Sequence, residues 1–362
     1  MKKRYIGLMS GTSLDGVDVA LCQIDEVSCH LEATHFVAFP SVLKEAIMRL
    51  IYEPIAIREV GILDHNLALF FAKGVNELLK KTALSSENID AIGVHGQTVW
   101  HEPSGEHPFS LQLGNASVLA SETKIDVVSD FRSKDVAVGG QGAPLAPAFH
   151  HFLFASLSRC AVLNIGGMAN LSILEPELIG YDTGCGNVLM DMWIEEHLNL
   201  PYDSRGNWAK SGIIHEKLLE SMLSDDYFKL KFPKSTGREY FNKKFLIKYL
   251  EPFAKICEED VQATLLALTA DSITDEIKKF KIEKLLVCGG GVRNEFLMER
   301  LEQNLPSVEV VSTQHYGVDA DNMEAMIFAW LAYKRVRREC VNLKTVTGAN
   351  NNSILGAIYA KD

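Results

Sequence analysis

The residue types that could do chemistry in this chain gather at an aspartate and three glycine turns. Residues 179–191 read IGYDTGCGNVLMD. Asp182 follows a short apolar segment and precedes Gly184 and Gly186, and Asn187 opens a helix. A carboxylate on such a glycine-flanked loop reaches a substrate oxygen and can act as a general base. The same residue also fits an Asx-turn or a helix cap, the commoner fate of an aspartate there. Asp191, one turn further on, reads as a structural partner.

The first glycine turn lies in RYIGLMSGTSLDGVD, residues 4–18. An apolar run breaks at Ser10-Gly11-Thr12-Ser13, and a second apolar run, Val17–Ile24, continues the chain. Strand, small-residue turn and returning strand make a cup of backbone N–H groups suited to phosphate oxygens, or an ordinary hairpin. AVLNIGGMANLSIL, residues 161–174, repeats the pattern around Asn164, Gly166 and Gly167. Two such units half a chain apart suggest a duplicated architecture with one unit in each half and a cleft between them. The third turn, in LLVCGGGVRNEFL at 285–297, puts Gly289–Gly291 between a buried strand and a helix start, where negative groups are favoured. It lacks the spacing of a dinucleotide-binding fingerprint.

Other polar residues sit at expected strand ends. Arg132, near Asp126 and Asp130, can grip a carboxylate or phosphate bidentately or pair with Asp130 at the surface. Gln97 and Thr98 face a cleft in this reading, with His95 orienting their loop. Glu324, in the first turn of the last long helix, faces the cleft or balances the helix dipole. Asp15 and Asp18 suit water-mediated Mg²⁺. The sequence holds no transition-metal cluster, no G-x-S-x-G elbow and no GxxxxGK[ST] loop.

The elements that must position these groups follow from periodicity. Strands are expected at 5–9, 17–25, 31–39, 91–94, 126–129, 161–163, 170–174, 284–287 and 308–311. Helices are expected near 41–51, 58–82, 117–122, 148–155, 187–198, 212–223, 243–253, 259–280, 294–301 and 322–337. SKDVAVGGQGAPLAP, residues 133–147, is dense in Gly and Pro. The domain crossing is expected there, with one domain over 1–135 and another over 136–362. The mixed order fits an α/β protein.

The 362 residues, 47% hydrophobic and 23% charged, suffice for two cores. A formal net charge of −11 argues against a nucleic-acid or anionic-membrane surface. Cysteines 22, 29, 160, 185, 257, 288 and 340 lack metal or disulfide spacing and read as reduced. Neither a secretory signal nor a membrane span is evident, so a cytoplasmic protein is expected.

Taken together, GLMSGTSLDGVD at 7–18, VHGQT at 94–98, SDFRSKDVAVGGQGAPLAP at 129–147, LNIGGMANLS at 163–172, GYDTGCGN at 180–187 and CGGGVRN at 288–294 resemble the anhydro-N-acetylmuramic acid kinases over nearly the whole chain. The resemblance implies two related domains of the actin-like ATPase fold, shared with sugar kinases and Hsp70, around a nucleotide cleft. It implies an ATP- and Mg²⁺-dependent kinase of cell-wall recycling that opens the 1,6-anhydro bridge of a small amino sugar and phosphorylates O6. By the same resemblance, Asp182 is the base that activates water. Gly11, Thr12, Ser13, Leu14, Asp15, Gly16, Val17 and Asp18 hold the ATP phosphates. Gly166 and Gly167 form the second phosphate loop, and Gly289, Gly290 and Gly291 border the adenosine. Gln97, Thr98, Arg132 and Glu324 are substrate-binding candidates, and a homodimer is favoured. Cys185 stands where proline is expected in DTGPGN. Gly7 and Asn164 stand where the larger superfamily places an acidic residue, so magnesium ligation stays open. An ordinary sugar or acetate-type kinase, or a non-catalytic actin- or Hsp70-like switch, are the rival readings.

Overall fold

The computed structural model describes residues 3–11, 14–253 and 255–362. The chain forms two compact units. Unit 1 comprises 1–153 and 322–362, and unit 2 comprises 154–321.

Unit 1 is built on strands β1 (Lys3–Ser10), β2 (Gly16–Ile24), β3 (Cys29–Ala38), β4 (Ala91–Glu102), β5 (Phe109–Leu113) and β6 (Val127–Ser129), with the late strand β12 (Ala357–Tyr359). Its sheet runs β12-β6-β4-β1-β2-β3, and β5 pairs with β4. β1, β2 and β3 form an antiparallel meander, while β4 and β6 join parallel to β1 and β4. Unit 2 repeats this plan with β7 (Cys160–Ile165), β8 (Met168–Ile173), β9 (Ile179–Cys185), β10 (Lys284–Cys288) and β11 (Glu309–Ser312). The order is β11-β10-β7-β8-β9, with β7–β8–β9 antiparallel and β10 and β11 parallel. With the hairpin strand β5 and the late β12 set aside, both sheets run third-second-first-fourth-fifth in chain order with the same senses. That is the duplication expected from the two strand–turn–strand units, and it is the sheet plan of the actin-like ATPase fold.

The apolar runs become strands because helices cover the sheets. The helix Ile57–Thr82 turns Leu63, Leu67, Phe70, Phe71, Val75 and Leu78 inwards, the stripe that its periodicity predicts. It sits close to β2 and β3, where an ideal Cβ on Gly74 would lie 3.1 Å from Val19. In unit 2 the helix Glu258–Ile277 is buried along most of its length.

The units do not divide at residue 135. Residues 136–153 stay with unit 1, and the chain returns to it through the helix Met323–Val336, which lies directly on the backbone of β1 and β4. An ideal Cβ on Gly7 would fall 1.8 Å from the Ala325 carbonyl oxygen, and one on Gly93 1.9 Å from that of Phe328. Tyr5 on β1 meets Tyr333 edge-on at 5.6 Å between ring centres. Only a long-range contact of this kind returns residues 322–362 to the first unit.

Two glycine substitutions separate this contact from ordinary helix propensity. Gly93→Ala should destabilise the protein by about 3 kcal/mol or more, since neither backbone can give way. Gly61→Ala, with open space at the same atom in the exposed interior of the helix Ile57–Thr82, should stabilise it by about 0.4–1 kcal/mol. Urea denaturation of the two variants checks both signs.

Candidate active site

The turn between β1 and β2 is held from below. Ser10 is buried at the end of β1, and its Oγ donates to Gln97 Oε1 at 2.5 Å. Gln97 Nε2 donates in turn to the Gly11 carbonyl at 3.4 Å and to that of Thr98 at 3.3 Å. The Leu14 side chain is buried and its backbone is left-handed, with φ 56°. Its N–H closes on the Gly11 carbonyl at 3.4 Å. Asp15 is exposed at the turn, and its carbonyl accepts from the Phe39 N–H at 3.0 Å. Thr12 and Ser13 lie outside the described residues. Gly16, Val17 and Asp18 are already strand, paired with Ala38, Val37 and Phe36, and the Val17 side chain is in the core.

Gln97 and Thr98, expected at the end of a strand, lie inside one, because β4 runs on to Glu102 and pairs with β5. Gln97 is buried and its amide serves the first turn. Thr98 is half-buried, and its Oγ1 lies 3.5 Å from Gln112 Nε2.

The second turn differs in its surroundings. An ideal Cβ on Gly166 would have nothing nearer than 3.8 Å, and one on Gly167 nothing within 4 Å. The turn is nonetheless fixed by its carbonyls. Gly186 N–H and Val188 N–H donate to the Gly167 oxygen at 2.8 and 3.2 Å, and Asn187 N–H donates to that of Gly166 at 2.8 Å. The third turn packs on the second. A Cβ on Gly289 would meet Asn164 Oδ1 at 2.4 Å, and one on Gly291 would meet Ile165 at 2.4 Å, whereas Gly290 is open to 3.9 Å. Three motifs far apart in sequence (164–167, 186–187 and 289–291) therefore adjoin. Gly289 and Gly291 are small for packing, while Gly166, Gly167 and Gly290 leave backbone open to a ligand.

Asp182 is on β9 rather than on a loop. It pairs with Asn170 on β8, and residues 234–236 lie along its other side. Its N–H donates to the Lys234 carbonyl at 3.0 Å, its carbonyl accepts from Tyr227 Oη at 2.8 Å, and its Oδ2 accepts from the Thr236 N–H at 2.9 Å. Burial pushes the carboxyl up to about 6, with Glu239 adding to the rise and Thr236 N–H and Lys234 opposing it. Burial likewise pushes Asp191 up to about 7, against the pull of Arg238. A carboxylate tuned to about 6 is mostly ionised at neutral pH yet is a stronger base than an exposed aspartate.

The alternative reading of Arg132, a surface pair with Asp130, is not what the structure shows. Arg132 is half-buried, and its Nε donates to His95 Nε2 at 3.0 Å and its Nη1 to the Gly142 carbonyl at 3.0 Å. His95 Nδ1 lies 2.8 Å from the Gly96 carbonyl, so the ring is neutral with its proton on Nδ1 and Nε2 accepting. Burial and then the Arg132 charge push His95 down to about 3. Burial pushes Arg132 down to about 10, still cationic at neutral pH, with Glu324 and Asp135 supporting the charge. Asp135 in turn accepts from the Gly142 N–H at 2.7 Å and from Thr347 Oγ1 at 2.9 Å. Glu324 is exposed in the first turn of its helix. His95 does more than orient its own loop; Asp135 joins the Arg132 cluster in unit 1, and Thr236 and Lys234, with no sequence signal of their own, adjoin Asp182 in unit 2. Their roles arise from contacts between distant parts of the chain that no local pattern announces.

Among the described residues, no three His, Cys, Asp or Glu side chains are grouped as a metal site. Asp15, exposed at the first turn, offers the single carboxylate that a largely hydrated Mg²⁺ accepts. No helix among the described residues is long and apolar enough to cross a membrane.

A twice-built sheet carrying a strand-to-strand glycine turn in each unit places the protein in the actin-like ATPase fold class. A family model described as anhydro-N-acetylmuramic acid kinase matches residues 3–361. The chain belongs to that family. An anhydro-N-acetylmuramic acid kinase from Sulfurovum sp. (strain NBC37-1) is 53% identical over 360 residues, covering 99% of both chains. Another from Sulfurimonas denitrificans is 49% identical over 367 residues, covering 99% of this chain and 100% of its own. Among solved structures, the activator of a 2-hydroxyisocaproyl-CoA dehydratase from Clostridium difficile aligns over 93% of this chain and 96% of its own at 12% identity, with a TM-score of 0.46.

The raised Asp182 carboxyl has a consequence for stability. In the unfolded chain it titrates near the ordinary value of about 3.9, so between about 4 and 6 the folded state binds more protons. The favourable contribution of the protonated form is complete below that window and lost as pH rises through it. Asp182→Asn should therefore raise stability at pH 7 by about 1–3 kcal/mol and much less at pH 4. Equal gains at the two pH values in urea denaturation would contradict the assignment.

Proposed function

We propose that this protein opens the 1,6-anhydro bridge of anhydro-N-acetylmuramic acid with water and transfers the γ-phosphoryl group of ATP to the freed O6. The products are N-acetylmuramic acid 6-phosphate and ADP, and the setting is peptidoglycan recycling. Membership of the kinase family along the whole chain carries this reading. The environment of Asp182 supports it in detail.

The chemistry asks for two things. Attack on the anomeric carbon from the face opposite the bridge oxygen needs a base for water, as in an inverting glycosidase. Asp182, raised to about 6 and held by one backbone N–H, meets that need. Water gives its proton to the carboxylate and its oxygen to the anomeric carbon, and the bridge C–O bond breaks with its electrons on O6. O6 then attacks the γ-phosphorus and ADP leaves. Phosphoryl transfer needs positioning and charge neutralisation. Gly11, Thr12, Ser13, Leu14 and Asp15 of the first motif, Gly166 and Gly167 of the second and Gly290 of the third are assigned to the nucleotide. Gly16, Val17, Asp18, Gly289 and Gly291 support these turns from strands and packing contacts. Mg²⁺ supplies charge neutralisation on the phosphates, with Asp15 and Asp18 as its assigned carboxylates.

Arg132, fixed by the neutral His95 ring and the Gly142 carbonyl, is assigned to the lactyl carboxylate of the sugar, with Thr98 and Glu324 on its hydroxyls. Gln97 acts through the first turn. A homodimer and a cytoplasmic location complete the reading.

Turnover in oxygen-18 water should place the label on the anomeric hydroxyl of the product, read by mass spectrometry, and N-acetylmuramic acid should not replace the anhydro sugar. Equal use of both sugars would indicate an ordinary hydroxyl kinase. Asp182→Asn should lower kcat by about a thousandfold or more while ATP binding, followed by calorimetry, stays within a few-fold. In the wild type, kcat should rise with pH through an acid limb near about 6.

A further inference from the structure

A buried ion pair behind Asp182 takes no part in the attack of water or in the phosphoryl transfer. Lys234 Nζ lies 2.7 Å from Glu276 Oε1, and the two side chains are 2% and 5% exposed. Glu276 is on the buried helix Glu258–Ile277. Its Oε2 also accepts from Tyr181 Oη at 3.1 Å and from Lys279 Nζ at 2.6 Å. Burial alone would raise the Glu276 carboxyl, but its ammonium partners hold it below its ordinary range. Two desolvated charges are an expensive way to stabilise a core, where an apolar pair of similar volume usually does as well or better.

The position of Lys234 in the chain shows what the pair accomplishes. β9 is an edge strand of its sheet, and residues 234–236 run along its outer side. Lys234 gives its carbonyl to the Asp182 N–H, and two residues on Thr236 gives its N–H to the Asp182 carboxylate. The Lys234 ammonium also lies 4.9 Å above the ring of Tyr227, whose hydroxyl holds the Asp182 carbonyl. All three of these hydrogen bonds to Asp182 thus come from Lys234 itself, from two residues beyond it, or from the ring beneath its ammonium. An apolar contact here would tolerate a slip of the segment along β9, because it is not directional. A buried ammonium with its carboxylate on one helix does not, since a slip leaves both charges unpaired.

We propose that Lys234 is a positioning residue for Asp182: its ion pair with Glu276 fixes residues 234–236 in the register that brings the Thr236 N–H to the Asp182 carboxylate. The proposal rests on the reading of Asp182 as the base. The charged groups facing Asp182 are Lys234 from this segment and Glu239 just beyond it, and the Tyr227 hydroxyl faces it from the neighbouring helix Asp226–Lys229. Loss of the lysine therefore removes a charge that favours the ionised base, and a loosened segment removes the N–H that does the same.

The test uses the full-length protein with three variants: Lys234→Met/Glu276→Leu, Glu276→Gln and Asp182→Asn. The double variant leaves no unpaired charge between the two positions and should melt close to the wild type. Its kcat on the plateau at pH 8 should nevertheless fall by about ten- to a hundredfold, with KM for ATP unchanged and the acid limb of kcat moved to higher pH. Glu276→Gln keeps the shape of the partner and leaves the Lys234 charge in place, so it should lower kcat at pH 8 without moving the limb to higher pH, and it carries the test if the double variant proves unstable. A folded double variant with wild-type kcat and an unmoved limb, or activity that recovers in step with melting temperature, overturns the proposal. The Asp182→Asn control separates the two ideas. If it stays active, the base reading itself fails. If it is inactive while the Lys234 and Glu276 variants behave as wild type, only the positioning role fails.

Discussion

Backbone that is to meet an anion must be left uncovered, and uncovered backbone must be held by something other than its own side chains. The second strand-to-strand turn of this protein obeys that constraint, and the described part of the first is held in the same manner. At Gly166 and Gly167 the space where side chains would stand is open, while the carbonyls on the inner side accept three N–H groups from residues 186–188. At the first turn the Ser10 hydroxyl donates to the Gln97 side-chain oxygen, and the Gln97 amide nitrogen donates to the Gly11 carbonyl from within the sheet. At the second turn one side of the peptide chain is spent on the protein and the other is open, and at the first the Gly11 carbonyl is spent on the protein in the same way. Small residues in these turns are therefore only half of the requirement, and the buried polar groups beneath them are the other half.

The same division of labour governs the charged residues. His95 is neutral because burial and the adjoining guanidinium both oppose its protonation, and that neutrality makes its Nε2 an acceptor for Arg132. A protonated ring there would repel the arginine it now orients. Arg132 remains a cation because Glu324 and Asp135 offset part of its desolvation. Asp182 is treated in the opposite way. It receives one backbone N–H on its carboxylate and little other compensation, so its proton affinity rises. Full satisfaction would make it a stable structural carboxylate and a poor base, as Asp225 illustrates: with Tyr240, Tyr249, Lys248 and the Tyr227 N–H all donating to it, it is pulled down to about 2.

Much of this architecture is legible in residue order. Long apolar runs broken by small-residue turns place β1, β2, β7, β8 and β10 and the three glycine turns, because strands buried on both faces leave a strong local signal. The periodic helices, above all Ile57–Thr82, are equally clear. β9 is not, since Gly180, Asp182 and Gly184 make it look like a loop. It is a strand because β8 pairs on one side and residues 234–236 lie along the other, and neither of these neighbours is marked by any pattern in 179–185. The short β12 and the return of the helix Met323–Val336 to unit 1 are hidden for the same reason. Their partners, β6 in one case and Gly7 and Gly93 in the other, lie hundreds of residues upstream. Asp182 itself stands out by its motif, whereas Lys234, Thr236 and Glu276 carry no motif at all.

Cys185 shows how little a departure from pattern matters when the surrounding bonds are in place. Proline is expected there, and its absence would be felt if the stiffness of 184–188 came from a restricted backbone angle at position 185. The stiffness comes instead from the next three residues. The N–H groups of Gly186, Asn187 and Val188 all end on the second turn, and the Asn187 side chain adds a bond to the Ile165 carbonyl at 3.3 Å. Cys185 faces the core, fully buried beside Thr269, opposite Met168 on β8. Gly186 leaves no room for a side chain, since a Cβ there would stand 2.4 Å from the Gly166 oxygen. The position that cannot change is the glycine after Cys185, because it brings the end of β9 and the second turn into backbone contact.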